Sequence, residues 1–538
     1  MATPSAMRFR QMWLGVVATV GLPLGCTHGP SSSAPSQRQT TELHKELGVD
    51  RLMAIPVPPA DGPQLAPLTL ATPVFAAPQS GSEKIGYLRI GAKVARSPEP
   101  VGHEGCPGGW YAVRPVGFVC VGTAATVDLA HPLVRAVNVE PDRTKPMPYR
   151  YAFVRAIAPN YTRVPSFPEQ LDHEMRLERH LRNWKKLAKD WDQLDVGAND
   201  VPLEPSGLAL GKIPDHAQAM NESERFGGDG TDSVPWWLAN GQRLIPNIST
   251  FQSATNGVMA GRIKRHAGVA VVGTFVAGEQ DHTRRFAVSV DARLVPADKL
   301  KADSGSPFHG GSIRATGLPV AFAHKAGATQ WKLTDGELAA GARMDWRELV
   351  PLTGKSQRIG GTMFLQTRDG AWVRSDDVKT AKKPNQLPWY AKGDRRWIQV
   401  SLTSQTLVLW EGDKPTYATL VSTGRDGLGD PKTTMSTPQG NFRILEKHVT
   451  NTMDSQAADN DFELRDVPWV MYFQGGYALH AAYWHDDFGR PRSHGCINMA
   501  PIDARYVFEW SSPDVPQHWH GVDAGETFDK GTIVEIGP

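Results

Sequence analysis

The chain has 538 residues, of which 40% are hydrophobic and 21% charged, and its formal net charge is +2. This length predicts several domains, and the composition excludes both a wholly disordered chain and a polytopic membrane protein. The balance of 58 basic and 56 acidic side chains leaves no basic field, so we expect no nucleic-acid partner. The 52 glycines and 42 prolines favour turns and short strands. We therefore expect a mainly β, multidomain protein.

The first 26 residues have the order of an export signal. Two arginines precede an apolar run from Met12 to Leu24, which is too short to cross a bilayer as a helix. The stretch from Leu22 to Cys26 resembles a bacterial lipoprotein processing site, in which the cysteine carries the lipid. We predict export to the periplasm and a lipid anchor at Cys26, with simple cleavage nearby as the alternative. The only membrane contact that we expect is this anchor.

Two segments of different composition follow the signal. Residues 27–75 are rich in Ser, Pro, Thr and Gln, and we predict a flexible tether. Residues 76–125 contain short alternating segments separated by glycines, and they resemble the small Src-homology-3-like β-barrels of bacterial envelope proteins. A disulfide between Cys106 and Cys120 would close a loop of about 15 residues and contribute ~3 kcal/mol. Two unrelated buried thiols are the alternative.

The middle of the chain gives weaker signals. We expect residues 126–309 to be a mixed central region of strands with one long amphipathic helix over 168–194, where apolar residues recur at helical spacing. This helix is interpreted as structural, with a solvated charged face. Residues 310–380 repeat the pattern of glycine, tryptophan and strand, and we predict a second small β-barrel there.

The last segment, residues 395–538, has the clearest motifs. Strand-like runs begin at Trp397, and they are followed by Ser422-Thr423-Gly424, Thr437-Pro438-Gln439-Gly440-Asn441-Phe442, His480 and Ser493-His494-Gly495-Cys496. Together these motifs resemble the YkuD-type catalytic domain of the L,D-transpeptidases of bacterial peptidoglycan. Asn498 stands where many members of that family have Arg and others have Asn, a difference that concerns substrate contacts more than the chemistry.

The residues themselves indicate the same chemistry. Cys496 would be left unpaired in an oxidising compartment, where an idle thiol is a hazard, so we predict that it is a nucleophile. A thiol needs a neighbouring base or cation, which His480 or His494 can supply. Gly495 permits a tight turn that brings backbone N–H groups near the sulfur, as an oxyanion site requires. A helix that begins near Ala500 is expected to favour the thiolate.

The family resemblance assigns roles to these residues. It implies that His480 is the base and that the backbone carbonyl of Ala481 orients it, while Ser493 and His494 give supporting hydrogen bonds. The implied reaction is attack of Cys496 on the bond between meso-diaminopimelate and D-Ala in tetrapeptide stems, followed by transfer of the acyl group to an amine.

Several alternatives stay open at this stage. The acyl acceptor can be another stem peptide, a protein or water, so an L,D-carboxypeptidase is one alternative and a non-catalytic peptidoglycan-binding protein is another. Zinc ligation by His480, His485, His494 and Cys496 is disfavoured because the spacing lacks short ligand pairs. We expect no cofactor and no metal. The loop that contains His485, Asp486 and Asp487 is interpreted as a solvated lid.

Overall fold

The computed structural model describes residues 55–187, 222–248, 257–265, 267–279, 281–303, 305–454, 463–525 and 530–538. The predicted signal peptide, Cys26 and the first half of the predicted tether lie outside these residues. Strands predominate over helices, so the expectation of a mainly β protein is confirmed. Within the described residues, no helix is both long enough and apolar enough to cross a membrane.

The segment from Gln64 to Thr126, here called the disulfide module, is built from short strands. Cys106 and Cys120 are joined by a disulfide bond, as predicted. The tether prediction is wrong for residues 64–75, because two strands form there and bury Leu65 and Val74 completely. The Src-homology-3-like barrel stays a prediction. The strands are β1 (Gln64–Pro67), β2 (Thr72–Phe75), β3 (Lys84–Leu88), β4 (Val94–Ala95), β5 (Trp110–Ala112), β6 (Phe118–Cys120) and β7 (Ala125–Thr126).

The central region combines short helices with an antiparallel set of strands. The helices are α1 (Pro132–Ala136), α2 (Phe167–His173), α3 (Leu177–Leu187) and α4 (Glu222–Arg225), with 3-10 turns at Trp236–Gly241 and Ala297–Lys299. The strands are β8 (Arg150–Val154), β9 (Ala158–Tyr161), β10 (Met259–Ile263), β11 (Gly268–Ala277), β12 (Arg284–Ser289), β13 (Leu294–Pro296) and β14 (Leu300–Asp303). β15 (Gly311–Ser312) follows them in the chain and belongs to a different sheet.

The prediction of one long helix over 168–194 is wrong. The helix stops after His173, because Glu174 leaves the helical conformation and Arg176 has a φ of 59°. Glu174 is instead buried and forms ion pairs with Arg284 and Lys299. Met175, which was expected on the apolar stripe, is 83% exposed. The buried ion pairs outweigh the helical periodicity at this position, and residues 188–194 lie outside the described residues.

The segment from Val320 to Ala381, here called the hairpin module, forms a separate antiparallel sheet. Over the described residues its strand order is β18-β17-β21-β20-β19-β16-β22, and a 3-10 turn spans Ser375–Asp377. Closure into a small barrel stays a prediction. The strands are β16 (Val320–Ala323), β17 (Thr329–Thr334), β18 (Glu337–Arg343), β19 (Leu349–Ile359), β20 (Thr362–Thr367), β21 (Trp372–Arg374) and β22 (Val378–Ala381).

The C-terminal segment supplies strands to two sheets and one helix, α5 (Pro501–Trp510). One of these sheets has the order β15-β25-β24-β23-β32-β26 among the described strands. The strands are β23 (Arg396–Ser401), β24 (Thr406–Glu411), β25 (Lys414–Leu420), β26 (Gly440–Arg443), β27 (Glu446–Asp454), β28 (Glu463–Gln474), β29 (Tyr477–Ala481), β30 (Ile497–Met499), β31 (Gly521–Asp523) and β32 (Ile533–Gly537).

The other sheet crosses the boundaries of the segments. Over the described residues it runs β10-β9-β13-β12-β11-β28-β27-β31-β3-β2-β6-β5, so C-terminal strands lie between those of the central region and those of the disulfide module. β3 joins β31 through the pairs Gly86 with Val522 and Tyr87 with Gly521. β28 also pairs with β29, which places the strand that carries His480 on this shared framework.

Candidate active site

Two parallel strands bring the predicted histidine and cysteine together. β29 pairs with β30 in a register that puts His480 opposite Asn498. Cys496 directly precedes β30, and its sulfur accepts a hydrogen bond from the backbone N–H of Ala478 on β29. Ala478 and His480 are two residues apart on one strand, so their side chains project from the same face. The sulfur therefore lies against the edge of β29, at a backbone position two residues before His480.

Cys496 is the free cysteine of the described residues, and its side chain is partly buried. Burial raises the pKa of the thiol to about 11, and the hydrogen bond from Ala478 only partly opposes this rise. We expected the start of α5 to favour the thiolate, but desolvation outweighs any such effect. The thiol is therefore protonated at neutral pH in the absence of substrate, and a nucleophilic role would require a base to remove its proton.

His480 has the environment of a neutral base. Its ring is 2% exposed and stacks on Trp484 with 5.6 Å between ring centroids. Nδ1 lies 3.0 Å from the carbonyl oxygen of Ala481, the contact that the family resemblance implies. Because a carbonyl only accepts, Nδ1 carries the proton and Nε2 is the basic nitrogen. Burial lowers the pKa of His480 to about 4, so the imidazole is neutral at pH 7.

Ser493 and Gly495 shape the turn before the cysteine. The Ser493 hydroxyl donates to the carbonyl of Cys496 at 2.5 Å and accepts the backbone N–H of Gly495 at 3.0 Å. Gly495 has a φ of 122°, and a Cβ atom there would lie 2.5 Å from the Tyr477 ring. Both the backbone conformation and the close ring therefore require glycine. Because the N–H of Gly495 is occupied by Ser493, this residue contributes turn geometry in the present arrangement.

The two upstream motifs fold against this turn. The hydroxyl of Thr437 donates to the carbonyl of Gly495 at 2.8 Å and accepts the N–H of Gly424 at 2.9 Å. Ser422 exchanges backbone hydrogen bonds with Asn498 at 2.8 and 2.9 Å. The motifs quoted from the sequence are therefore one connected unit around Cys496.

His494 lies at the edge of this unit. Its side chain is partly buried, and burial lowers the pKa of the imidazole, with Arg425 acting in the same direction and Asp426 against it. The supporting role that the resemblance implies for His494 stays a prediction.

The loop between β29 and β30 is not the solvated lid that we expected. His485 is completely buried, and burial lowers its pKa to about 3. Asp486 forms a bidentate ion pair with Arg347 of the hairpin module, and Asp487 pairs with Arg492. Three adjacent polar residues suggested solvent in the sequence, and Asp486 is exposed, but His485 is buried and each of the three has a specific partner in the fold.

His485 and Asn498 form a buried polar pair beside the candidate base. The Asn498 amide nitrogen lies 3.0 Å from Nε2 of His485, and the backbone N–H of Asp487 lies 3.2 Å from Nδ1. As placed, the Asn498 amide oxygen is buried without a partner among the described residues. Because Nδ1 accepts the N–H of Asp487, neutral His485 carries its proton on Nε2, and with the amide rotated by 180° the Asn498 oxygen accepts this N–H. Asn498 is thereby fixed on the strand position opposite His480.

The structure adds residues that sequence reasoning missed. Arg347 lies 139 residues before its partner Asp486, and no motif surrounds it in the chain. Asn498 was noted only as a departure from the family pattern. The described residues hold no group of three or more His, Cys, Asp or Glu side chains that could bind a metal ion.

The comparison with protein families identifies the class of this segment. Residues 395–536, the C-terminal quarter, match the YkuD family model, described as the L,D-transpeptidase catalytic domain. The resemblance predicted from the motifs is therefore confirmed over that segment.

Individual relatives belong to the same class. The curated protein described as a putative L,D-transpeptidase YciB from Bacillus subtilis is 25% identical, with 23% of this chain and 62% of that protein covered. The chain thus spans less than two thirds of that relative's length.

Solved structures that match include L,D-transpeptidases of two organisms. The catalytic domain from E. faecium is 23% identical, with 27% of this chain and 98% of that chain covered and a TM-score of 0.20. An L,D-transpeptidase from Xylanimonas cellulosilytica is 19% identical, with 29% of this chain and 64% of that chain covered and a TM-score of 0.21.

Proposed function

We propose that the C-terminal segment is a peptidoglycan L,D-transpeptidase in which Cys496 is the nucleophile and His480 is the base. The observation that carries this proposal is the placement of Cys496, the free cysteine of the described residues, against β29, the strand that carries a neutral histidine whose Nδ1 is held by the carbonyl of Ala481. The match of residues 395–536 to the catalytic-domain family supports the same activity.

The proposed reaction begins from a neutral thiol and a neutral imidazole. As the sulfur of Cys496 bonds to the stem-peptide carbonyl carbon, Nε2 of His480 takes the thiol proton. The C–N bond then breaks, His480 returns the proton to the leaving nitrogen, and D-Ala departs. This leaves a thioester on Cys496. An acceptor amine attacks the thioester, its proton passes to His480, and the sulfur leaves and is reprotonated.

The substrate class follows from the family and is part of the proposal. The acyl donor is a tetrapeptide stem, cleaved between meso-diaminopimelate and D-Ala. The acceptor is an amine on a second stem or on a protein. Water as the acceptor would make the enzyme an L,D-carboxypeptidase. We also propose that the protein acts outside the cytoplasm, exported to the periplasm and anchored by lipid at Cys26.

Muropeptide analysis tests this proposal. Purified protein is incubated with tetrapeptide-rich peptidoglycan, and the products are resolved by mass spectrometry. New cross-linked or exchanged stems indicate a transpeptidase, and tripeptides alone indicate the carboxypeptidase. Cys496→Ala should abolish all new products while it leaves folding intact, since little core volume is lost. Wild-type protein that binds peptidoglycan without changing it would refute the enzymatic proposal.

Thiol alkylation tests the role of His480 separately. With a thiol pKa of about 11, alkylation of Cys496 by iodoacetamide should accelerate about tenfold per pH unit from pH 7 to pH 10. His480→Ala should lower turnover nearly as far as Cys496→Ala does. It should also change the alkylation profile, because the neighbouring imidazole is lost. An alkylation profile identical to that of the wild type would contradict the assignment of His480.

A further inference from the structure

The hairpin module grips the loop between β29 and β30 through a small number of side chains. We propose that Arg347 of this module is a positioning residue for the active site, acting through Asp486 and the buried pair of His485 and Asn498. This inference rests on the proposed transpeptidase function and goes beyond it, because it gives the hairpin module a part in the chemistry.

The first link is the ion pair between Arg347 and Asp486. Nη1 and Nη2 of Arg347 lie 2.7 and 2.8 Å from the two carboxylate oxygens, a bidentate geometry that fixes orientation as well as distance. The Arg347 side chain is 7% exposed, and its guanidinium lies 4.5 Å from the ring centroid of Phe308. The hydroxyl of Ser306 also donates to Asp486. The carboxylate is therefore held from two sides.

The backbone at Arg347 supports a specific role for this residue. Its φ is 64°, a left-handed conformation that residues with a side chain rarely adopt. Such strain persists only where the surroundings enforce it, and it is enriched at functional sites. Here the backbone N–H of Arg347 donates to the carbonyl of Ala323 on β16, which ties the strained position to the sheet of the module.

The second link passes along the loop to the site. Asp486 directly follows His485, whose ring contacts the Asn498 amide at 3.0 Å. Asn498 is opposite His480 in the register of β29 and β30, and two residues after Cys496. Displacement of Asp486 therefore acts on a fully buried polar pair, where a lost hydrogen bond is expensive. The consequence is a changed geometry between the sulfur and the imidazole.

A separate contact joins the same two parts. Nε2 of His324 on the path out of β16 lies 3.2 Å from the carbonyl oxygen of Phe488, and its ring would meet any Cβ atom at Gly489 within 2.4 Å. The N–H of Gly489 in turn donates to the carbonyl of Val421 at 2.9 Å. Asp486 and Phe488 of this loop segment are therefore held by the hairpin module. Gly489 is held by Val421, which directly precedes the Ser422-Thr423-Gly424 motif.

The test compares three variants of the full chain with a matched control. Arg347→Met removes the ion pair and keeps an unbranched apolar side chain. Arg347→Lys keeps a positive charge but cannot form the bidentate pair. Asp486→Asn removes the negative charge of the partner residue. The control is Arg314→Met, because Arg314 also forms a bidentate pair, with Glu411 on β24, outside the loop. Each protein is assayed for melting temperature, for kcat and KM in the muropeptide reaction, and for the pH profile of Cys496 alkylation.

We expect a loss in kcat rather than in affinity. Arg347→Met should lower kcat at saturating substrate at least tenfold, with KM within about twofold of the wild type and a shifted alkylation profile. Arg347→Lys should recover part of kcat, and Asp486→Asn should change kcat in the same direction as Arg347→Met. Arg314→Met should leave kcat and the alkylation profile unchanged.

Other outcomes would overturn the inference. A folded Arg347→Met protein with unchanged kcat and alkylation would show that the contact is only structural. If Arg347→Met does not fold, Asp486→Asn decides, because it replaces the carboxylate by a carboxamide of nearly the same size and so removes the charge and one of the two acceptor oxygens. Unchanged kcat in Asp486→Asn refutes the positioning role of Arg347. Wild-type protein without turnover would instead refute the proposed function, so the two failures are distinguishable.

Discussion

The disulfide module and the hairpin module are attached to the C-terminal segment in different ways. The disulfide module shares a sheet with it, since β3 pairs directly with β31. The hairpin module forms its own sheet, and it meets the loop between β29 and β30 through Arg347 and His324. One junction is made by backbone hydrogen bonds supported by buried side chains. The other has no shared sheet among the described residues, and it is made by side chains, including Val320, Phe322 and Ala381, which pack in a core shared with the C-terminal segment.

This difference predicts that the first junction mainly stabilises the fold, whereas the second can change the geometry of the candidate active site. A shared sheet buries its backbone groups only when both partners are present, so the disulfide module is expected to unfold together with the C-terminal sheet. A contact made by side chains can change its geometry without exposing a sheet edge. The hairpin module is therefore the better placed of the two to alter the active site while the fold stays intact.

The largest effect on stability is expected at the first junction. Arg89 forms a buried ion pair with Asp466, and it also donates to Thr450 at 3.1 Å. Arg89→Met would leave the carboxylate buried and unpaired, which costs about 3–5 kcal/mol of unfolding free energy. Chemical denaturation of wild type and variant measures this loss. A loss below about 1 kcal/mol would mean that the shared sheet does not depend on the ion pair.

Loss of the disulfide should have the next largest effect. Replacing both Cys106 and Cys120 by Ser should lower the unfolding free energy by ~3 kcal/mol, because the unfolded chain gains the freedom of the opened loop. The effect on kcat should be small, because β6, which carries Cys120, is separated by several strands of the shared sheet from β28, the neighbour of β29. Denaturation monitored together with turnover checks both parts, and a large loss of kcat at full folding would argue that this module also adjusts the site.

A smaller effect is expected from pH at the same junction. Burial, reinforced by Arg89, holds the pKa of His520 well below its ordinary value of 6.5. The unfolded chain therefore binds a proton that the folded protein rejects, and stability falls as pH decreases from 7 to 5.5, by about 1 kcal/mol for this histidine. His520→Gln should flatten the pH dependence by that amount. An unchanged slope between pH 7 and 5.5 would show that His520 is protonated in the folded protein.

The smallest effect is expected for Arg314. Its pair with Glu411 has good geometry, but the Arg314 side chain is 54% exposed and solvent screens the attraction. Arg314→Met should change the unfolding free energy by no more than about 1 kcal/mol. A clearly larger loss of unfolding free energy, measured by thermal or chemical denaturation, would indicate that contacts made only by side chains stabilise this protein more than we expect.

Local features of the chain were predictable, and contacts between distant segments were not. The disulfide between Cys106 and Cys120 followed from proximity and from the exclusion of other pairs. The contact of His480 with the carbonyl of Ala481 followed from the family pattern. It could be predicted because the two residues are adjacent on one strand. The break after His173 was missed because the reason for it, the burial of Glu174 against Arg284, lies more than a hundred residues away.

The loop at His485 teaches the same lesson for the site. Its polar residues suggested exposure, because composition reports only that such residues usually face solvent. The burial of His485 and the pairing of Asp486 depend on Asn498 and Arg347, which meet them only after two separate sheets have packed. The pKa of Cys496 was misjudged for a related reason: a helix start can be inferred from sequence, whereas the depth of the sulfur in the fold cannot.

The pairing of β3 with β31 also has a consequence for how the protein is made. The indole N–H of Trp519, just before β31, donates to the carbonyl of Arg114, 405 residues earlier in the chain. During synthesis or export the edge of β3 therefore waits without its partner until nearly the whole polypeptide has emerged. Contacts of such long sequence separation form slowly, and open strand edges promote aggregation. The yield of folded protein would then depend on how well chaperones protect this edge.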